Sequence, residues 1–164
     1  MNRILAVWPP VPELKDLSTG ITPCGTMGLV DCNTRSLVMQ DAHVSRVLDA
    51  VNRALIRIQW KPGKAASHLT KRIRLGHLPA GANLDAYEAI IISVLQHQDA
   101  QLFIFTFQDY IYPTVVAPVE ERLWLVMIGM DGVMETAFPP RDPSAYLADS
   151  AYAHLGRLQE LWHE

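Results

Sequence analysis

The hydrophobic and polar positions of this chain change their period part-way along the sequence. Between residues 41 and 96, apolar side chains recur every three or four positions, which is typical of helices that bury one face. This period predicts three helices. Asp41 is expected to cap the first, the second runs from about Lys64 to Leu75, and Asn83 is expected to cap the third, which extends to Gln96.

After residue 99 the pattern becomes that of β-strands. Aromatic, β-branched and alternating residues predict four strands: Leu102–Phe107, Tyr110–Ala117, Leu123–Ile128 and Val133–Phe138. Pro113 and Pro118 are expected to confine the second strand to a sheet edge, because proline cannot donate a ladder hydrogen bond. The third strand is expected to be central, and the Asp-Gly pair at residues 131–132 predicts a hairpin turn before the fourth.

A last helix is predicted to begin at Asp142 and Pro143. Its packing residues would recur at helical spacing: Leu147, Ala151, Leu155, Leu158 and Trp162. Helices, then an antiparallel sheet, then a helix make the expected fold class α+β, with N-terminal helices packed on three to four strands. The expected core includes Leu55, Leu69, Ile91, Val94, Phe105, Leu125 and Val126.

The same pattern divides the chain into two parts. Residues 1–40 are interpreted as an N-terminal extension in which Met27–Val30 and Ser36–Met39 form a hairpin, and residues 41–164 as the α+β domain. Apolar residues make up 49% and charged residues 19% of the chain, which excludes a disordered protein or a coiled coil. No apolar run approaches the ~20 residues of a membrane helix, and the first residues do not read as a signal peptide.

Cysteine and charge narrow the expected chemistry. Cys24 and Cys32 are too few for a disulfide scaffold and are not spaced as zinc ligands, so we expect a cytoplasmic domain without metal or cofactor.

The net charge is −3, yet Ala50–Leu84 holds no acid and seven of the fourteen lysines and arginines: Arg53, Arg57, Lys61, Lys64, Lys71, Arg72 and Arg74. A basic block in an acidic chain suits an anion site, and two solvated basic helix faces are the alternative.

The densest group of reactive side chains lies on the second predicted helix. His68, Lys71 and Arg72 are three and four positions apart and share a face, with Leu69 and Ile73 as the buried stripe beside them. Cleavage of RNA without metal needs a base, an acid and cations for the phosphorane charge, and this cluster offers those chemical types. A solvated histidine in a basic helix is the alternative interpretation.

The fourth predicted strand carries a second candidate group. Strand alternation puts Val133, Glu135 and Ala137 on one face and Met134, Thr136 and Phe138 on the other. Thr136 could donate a hydrogen bond to a phosphate oxygen, and Phe138 could stack on a base. A strand threonine and a core phenylalanine are the alternatives.

Together these features resemble a known enzyme group. A basic helix with His-x-x-Lys-Arg precedes the amphipathic helix Asn83–Gln96, and the meander closes with Glu-Thr-Ala-Phe-Pro, residues 135–139. This order resembles the barnase–EndoU–colicin–RelE group of metal-independent RNases, particularly its phage-borne and polymorphic-toxin branches, over roughly Lys64–Pro140. The resemblance implies that His68, Lys71 and Thr136 are catalytic. It implies a further basic substrate contact from Arg72 or Arg74. With Phe138 from the strand pattern and His77 from the following loop, the expected substrate-binding residues are Arg72, Arg74, His77 and Phe138.

The resemblance predicts an endoribonuclease that cleaves RNA by 2′-hydroxyl attack and leaves a 2′,3′-cyclic phosphate. The predicted sheet has no second histidine, so the general acid stays open, with His77 as the nearest substitute and Lys71 as an electrostatic one. The expected partners are RNA, for which transfer RNA is a candidate, and a cognate inhibitor or other protein. The alternative is a non-enzymatic phage accessory or immunity protein that binds a protein or nucleic acid.

Overall fold

The computed structural model describes residues 32–163, and their side chains from residue 42 onward. Three helices come first: α1 (Cys32–Ile56), α2 (Lys64–Arg74) and α3 (Leu84–Leu95). Four strands follow: β1 (Gln101–Phe107), β2 (Tyr110–Val119), β3 (Arg122–Ile128) and β4 (Met134–Phe138). The chain continues through α4 (Pro143–Leu147), β5 (Tyr152–Arg157) and α5 (Leu158–Leu161). The predicted α+β class is confirmed, with five strands instead of three to four.

The first helix begins earlier than the sequence pattern predicts. α1 starts at Cys32, so Asp41 lies inside it and does not cap it. The predicted strand Ser36–Met39 is also wrong, because these residues belong to α1. A run of three apolar residues without glycine or proline suits a helix as well as a strand, and here it continues the helix. The other predicted hairpin strand, Met27–Val30, lies outside the described residues, and α1 crosses the expected domain boundary after residue 40.

The five strands form one antiparallel sheet in the order β4-β3-β2-β1-β5. β2 is therefore the central strand, and its predicted edge position is wrong. Pairing with β1 ends at Val116 and pairing with β3 begins at Thr114, so Pro113 and Pro118 each have a paired neighbour on one side only. The missing N–H of each proline can thus face the unpaired side. β3 lies inside the sheet, as predicted.

The predicted long C-terminal helix is replaced by a short helix, a strand and a helical turn. Asp142 does cap α4, since its side chain accepts a hydrogen bond from the Ala145 N–H at 3.0 Å. The chain then turns at Asp149, whose side chain accepts from the Ala151 N–H at 2.9 Å. β5 follows and pairs with β1, adding the fifth strand. Apolar residues at helical spacing predicted the helix, but pairing along β1 outweighs that local pattern.

The sheet is packed on both faces. One face lies against α1, α2 and α3 and holds the larger core, which includes Val47, Val51, Tyr87, Ile91, Leu102, Val115, Trp124, Ile128 and Met134. The opposite face holds Phe103, Val116, Leu125 and Met127, against which Leu147 of α4 packs. Ile91, Val94, Leu125 and Val126 are fully buried as predicted, whereas Leu55, Leu69 and Phe105 are only partly buried. Within residues 32–163, no helix is both long and apolar enough to cross a membrane.

Candidate functional site

The candidate site lies where α2 meets the outer edge of β4. β4 is an edge strand of the sheet. The segment before α2 runs along this edge, and the Met134 N–H donates to the Gln59 carbonyl at 2.8 Å. This pairing places α2 beside β4, so that side chains of the helix reach side chains of the strand. Two of the predicted catalytic residues meet here.

His68 and Thr136 face each other across this edge. The Oγ1 atom of Thr136 lies 3.4 Å from Nδ1 of the His68 ring, a long hydrogen bond between two half-buried side chains. Lys71, the third predicted catalytic residue, is exposed one turn further along α2, and the structure gives it no contact with Thr136 among the described residues.

A β-bulge in β4 determines which residues face the helices. Thr136 pairs with Met127 of β3, but Met134 pairs with Ile128, so the strand holds one extra residue, Glu135. The predicted alternation is therefore wrong: Met134 and Ala137, placed on opposite faces by the sequence pattern, both enter the core under the helices. The bulged Glu135 forms an ion pair with Lys61.

Positive charge surrounds the His68 ring. Partial burial lowers the pKa of His68 below its usual 6.5, and the cations Arg72, Lys64 and Lys71 lower it further, against a smaller opposite effect of Glu135. Lys64, His68 and Lys71 are spaced at i, i+4 and i+7 and share one face of α2. Neutral imidazole is therefore the favoured form at neutral pH. Lys64 was not among the site residues predicted from the sequence, although its spacing of four positions from His68 carried the signal.

Two residues predicted to bind substrate contact each other instead of lying open. Arg72 is only 4% exposed, and its guanidinium lies 5.2 Å from the centre of the Phe138 ring. Phe138 also meets the Tyr146 ring in a T-shaped arrangement, with centroids 5.6 Å apart. Arg72 is the most buried residue of α2, whereas the sequence pattern predicted Leu69 and Ile73 as its buried residues.

His77 follows the end of α2 and lies between two arginines. Gly76, with φ of 66°, lets the helix end in a Schellman motif in which the His77 N–H donates to the Arg72 carbonyl at 2.9 Å. The His77 Nδ1 atom lies 3.4 Å from Nη1 of Arg72. The backbone carbonyl of His77 accepts a hydrogen bond from the Arg122 side chain. Burial, Arg72 and Arg122 lower the His77 pKa. His77 also lines a groove of about 300 Å³. The other lining residues are Gly76, Leu78, Pro79, Glu120, Arg122 and Trp124.

The remaining basic residues are dispersed. Arg74 is exposed at the end of α2, six positions after His68 and therefore on a different face of the helix. Lys61 is paired with Glu135, and Arg72 is buried. The acid-free stretch between residues 50 and 84 consequently does not form one uniform basic surface: Lys64 and Lys71 are the cations that accompany His68.

The site contains an aromatic residue that the sequence did not point to. The Trp60 indole stacks on the His68 ring, with centroids 5.5 Å apart and planes at 30°. Its Nε1–H donates to Glu88 Oε1 at 2.9 Å. A lone tryptophan before a helix carries no sequence signal that would separate it from a core residue.

Within the described part of the chain, no three histidine, cysteine, aspartate or glutamate side chains lie close enough together to hold a metal ion. The chain was also compared with known families, curated proteins and solved structures. None of them matches. The resemblance to metal-independent RNases therefore stays a prediction, and the geometry around His68 is the ground on which a function can be proposed.

Proposed function

We propose that this chain is a metal-independent endoribonuclease of the phage- or toxin-related kind, acting in the cytoplasm on RNA, with transfer RNA as a candidate substrate. The observation that supports the proposal is the contact between His68 and Thr136, which lie 68 positions apart in sequence and meet at 3.4 Å. A proton-transfer group and a hydroxyl donor are thereby next to each other, with Lys64 and Lys71 on the same helix face as the imidazole.

In the proposed mechanism the nucleophile is the 2′-hydroxyl of the RNA. The lowered pKa keeps His68 neutral at neutral pH, so that the ring can accept the 2′-hydroxyl proton. With Nδ1–H donating to Thr136, the lone pair of Nε2 is the acceptor, and the Thr136 hydroxyl remains free to donate to a phosphate oxygen.

The 2′-oxygen then attacks phosphorus, the bond to the 5′-oxygen breaks, and the products are a 2′,3′-cyclic phosphate and a 5′-hydroxyl. Lys64 and Lys71 offset the negative charge on the phosphorane, and the leaving oxygen takes up a proton. The imidazolium that the first step forms at His68 can supply that proton, and His77 is the nearest other histidine in the sequence.

The experiment is an RNA cleavage assay in the presence of EDTA. Positioned proton transfer is worth ~100- to 10,000-fold in rate, so His68→Ala should lose about that much. Thr136→Val should be impaired and Thr136→Ser active, since serine keeps the hydroxyl. His163→Ala, a change at an exposed histidine far along the chain, is the matched control and should cleave normally. Equal activity in His68→Ala and wild type would reject the mechanism.

The second candidate is a non-enzymatic phage accessory or immunity protein that binds a protein or nucleic acid. The net charge of −3 favours it, as does the burial of Arg72 against Phe138, which withdraws that cation from a ligand. Binding of a partner without cleavage of any RNA by the wild-type chain would support this candidate over the nuclease.

A further inference from the structure

Trp60 is held in place by a strand on one side and a helix on another. Its own backbone forms a parallel bridge with Met134, next to the hydrogen bond from the Met134 N–H to the Gln59 carbonyl, so the residue is tied to the edge of β4. Its indole N–H donates to Glu88 of α3 at 2.9 Å. An indole fixed both to the strand and to a helix has little freedom to change its orientation.

The indole lies between two other rings. His68 stacks on it at a centroid distance of 5.5 Å, and Tyr87 at 5.7 Å with planes at 28°. Tyr87 is fully buried, and its hydroxyl donates to the Ala137 carbonyl of β4 at 2.6 Å. The half-exposed imidazole is therefore the outermost ring of a stack whose base is anchored in the core.

This stack complements the hydrogen bond to Thr136. Thr136 meets His68 in the plane of the ring, at Nδ1, while Trp60 covers one face. An in-plane hydrogen bond alone leaves the ring free to tilt about it, and a stacked aromatic surface restricts that tilt. Together the two contacts define the direction in which the second ring nitrogen, Nε2, points.

We propose that Trp60 is a positioning residue that orients the His68 imidazole for proton transfer. The inference rests on the proposed function, because it assumes that His68 transfers a proton. Trp60 itself contacts no reacting atom in this scheme. Misplacing a catalytic group by about 1 Å can cost ~100-fold in rate, so loss of the stack should lower kcat far more than it raises KM.

The test compares Trp60→Leu with Trp60→Phe in the RNA cleavage assay, well below the melting temperature of each variant. We expect Trp60→Leu to lose about 10- to 100-fold in kcat with KM changed less than about threefold. Trp60→Phe should recover most of kcat, because phenylalanine keeps a stacking surface. Trp162→Leu, which removes a partly exposed tryptophan from the end of the described chain, is the control and should have wild-type kcat.

A second measurement does not depend on activity. An indole beneath the imidazole shifts the His68 carbon-bound ring protons upfield in the NMR spectrum, and this shift should be lost in Trp60→Leu and retained in part in Trp60→Phe. Unchanged His68 proton shifts in a folded Trp60→Leu variant would overturn the positioning role. Wild-type kcat in that variant would overturn it too. If wild-type protein cleaves no RNA while the ring shifts behave as expected, the nuclease proposal fails and the stack stands.

Discussion

The guanidinium of Arg72 lies 5.2 Å from the centre of the Phe138 ring, which joins α2 to β4 through a buried cation–π contact. No carboxylate among the described residues pairs with this arginine. The aromatic face, the His77 Nδ1 atom at 3.4 Å and the Tyr87 side chain together offset part of the cost of burying the charge. Arg72 holds α2 against β4. Its charge also lowers the pKa of His68, which disfavours the imidazolium form of that ring.

This contact predicts an energetic coupling between the two residues. In a double-mutant cycle of Arg72→Met, Phe138→Leu and the double variant, the coupling free energy should be about 0.5–2 kcal/mol. Urea unfolding of the four proteins measures it. Strictly additive losses would show that the two side chains are neighbours without mutual stabilisation.

The lowered histidine pKa values predict how stability depends on pH. His68, His77 and His154 all have pKa values below 6.5 in the folded chain, chiefly because of burial. The unfolded chain therefore binds their protons first, so the free energy of unfolding should fall as pH decreases through about 6.5 and level off below the folded pKa values. Unfolding curves between pH 8 and pH 5, taken as rough working limits, test this, and His68→Gln should reduce the slope.

The pKa of His68 itself should respond to the charges that face it. Arg72, Lys64 and Lys71 lower it and Glu135 raises it, so Lys71→Met should raise the pKa and Glu135→Gln should lower it. NMR titration of the imidazole measures both changes. Identical titration curves in the two variants would mean that burial alone sets the pKa.

Under the proposed function, the position of Lys71 predicts which cations would contact RNA. Lys71→Glu should weaken binding strongly and reduce its salt dependence, because each neutralised phosphate releases counterions. Arg74→Glu, an equal charge reversal on a different face of α2, is the matched control and should have a smaller effect. Filter binding or fluorescence anisotropy at several salt concentrations gives both slopes, and equal losses in the two variants would contradict the assigned face.

The proposed nucleophile predicts the fate of a modified substrate. RNA with a single deoxyribose at the cleaved position should bind as tightly as normal RNA and remain intact, because the attacking 2′-hydroxyl is missing. Products from the normal substrate should end in cyclic phosphate, which mass spectrometry identifies. Cleavage of the deoxy substrate would contradict 2′-hydroxyl attack.

The core on the sheet face opposite α1, α2 and α3 predicts a large loss of stability when one of its buried side chains is truncated. Leu125 is fully buried in β3 between Val116 of β2 and Phe138 of β4. Leu125→Ala should cost about 2–5 kcal/mol in the free energy of unfolding. Ile56→Ala, at a side chain that is 76% exposed, should cost much less and serves as the control. An unchanged melting temperature in Leu125→Ala would contradict the buried position.

The sequence was most informative where local signals and packing agree. Asn83 caps α3 as predicted, since its side chain accepts from the Ala86 N–H, and β3 is interior because its continuous apolar run suits burial on both faces. Local signals failed where distant pairing decides the structure. Pro118 resembles an edge residue although β2 is central, and no residue in β5 signals its pairing with β1.

The contacts of the candidate site likewise include some that the sequence predicted and some that it did not. The resemblance placed His68 and Thr136 in one catalytic site, and the two side chains do meet. The spacing could not predict that Arg72 turns inward onto Phe138, because that depends on how α2 is tilted against β4. The stacking of Trp60 on His68 depends on the path of the connection before α2, which no local pattern describes.

The position of β5 at the far edge of the sheet affects how the chain folds. Gln101 of β1 and His154 of β5 are hydrogen-bonded at 2.9 Å although they are 53 positions apart, and the intervening chain forms three strands and a helix. A contact of such long range is slow to close, because the chain entropy is lost before the strand contacts form. Until β5 docks, the outer edge of β1 presents free backbone groups that can pair with another molecule. We therefore expect changes in β5 to lower the yield of refolded protein more than equally buried changes in β3.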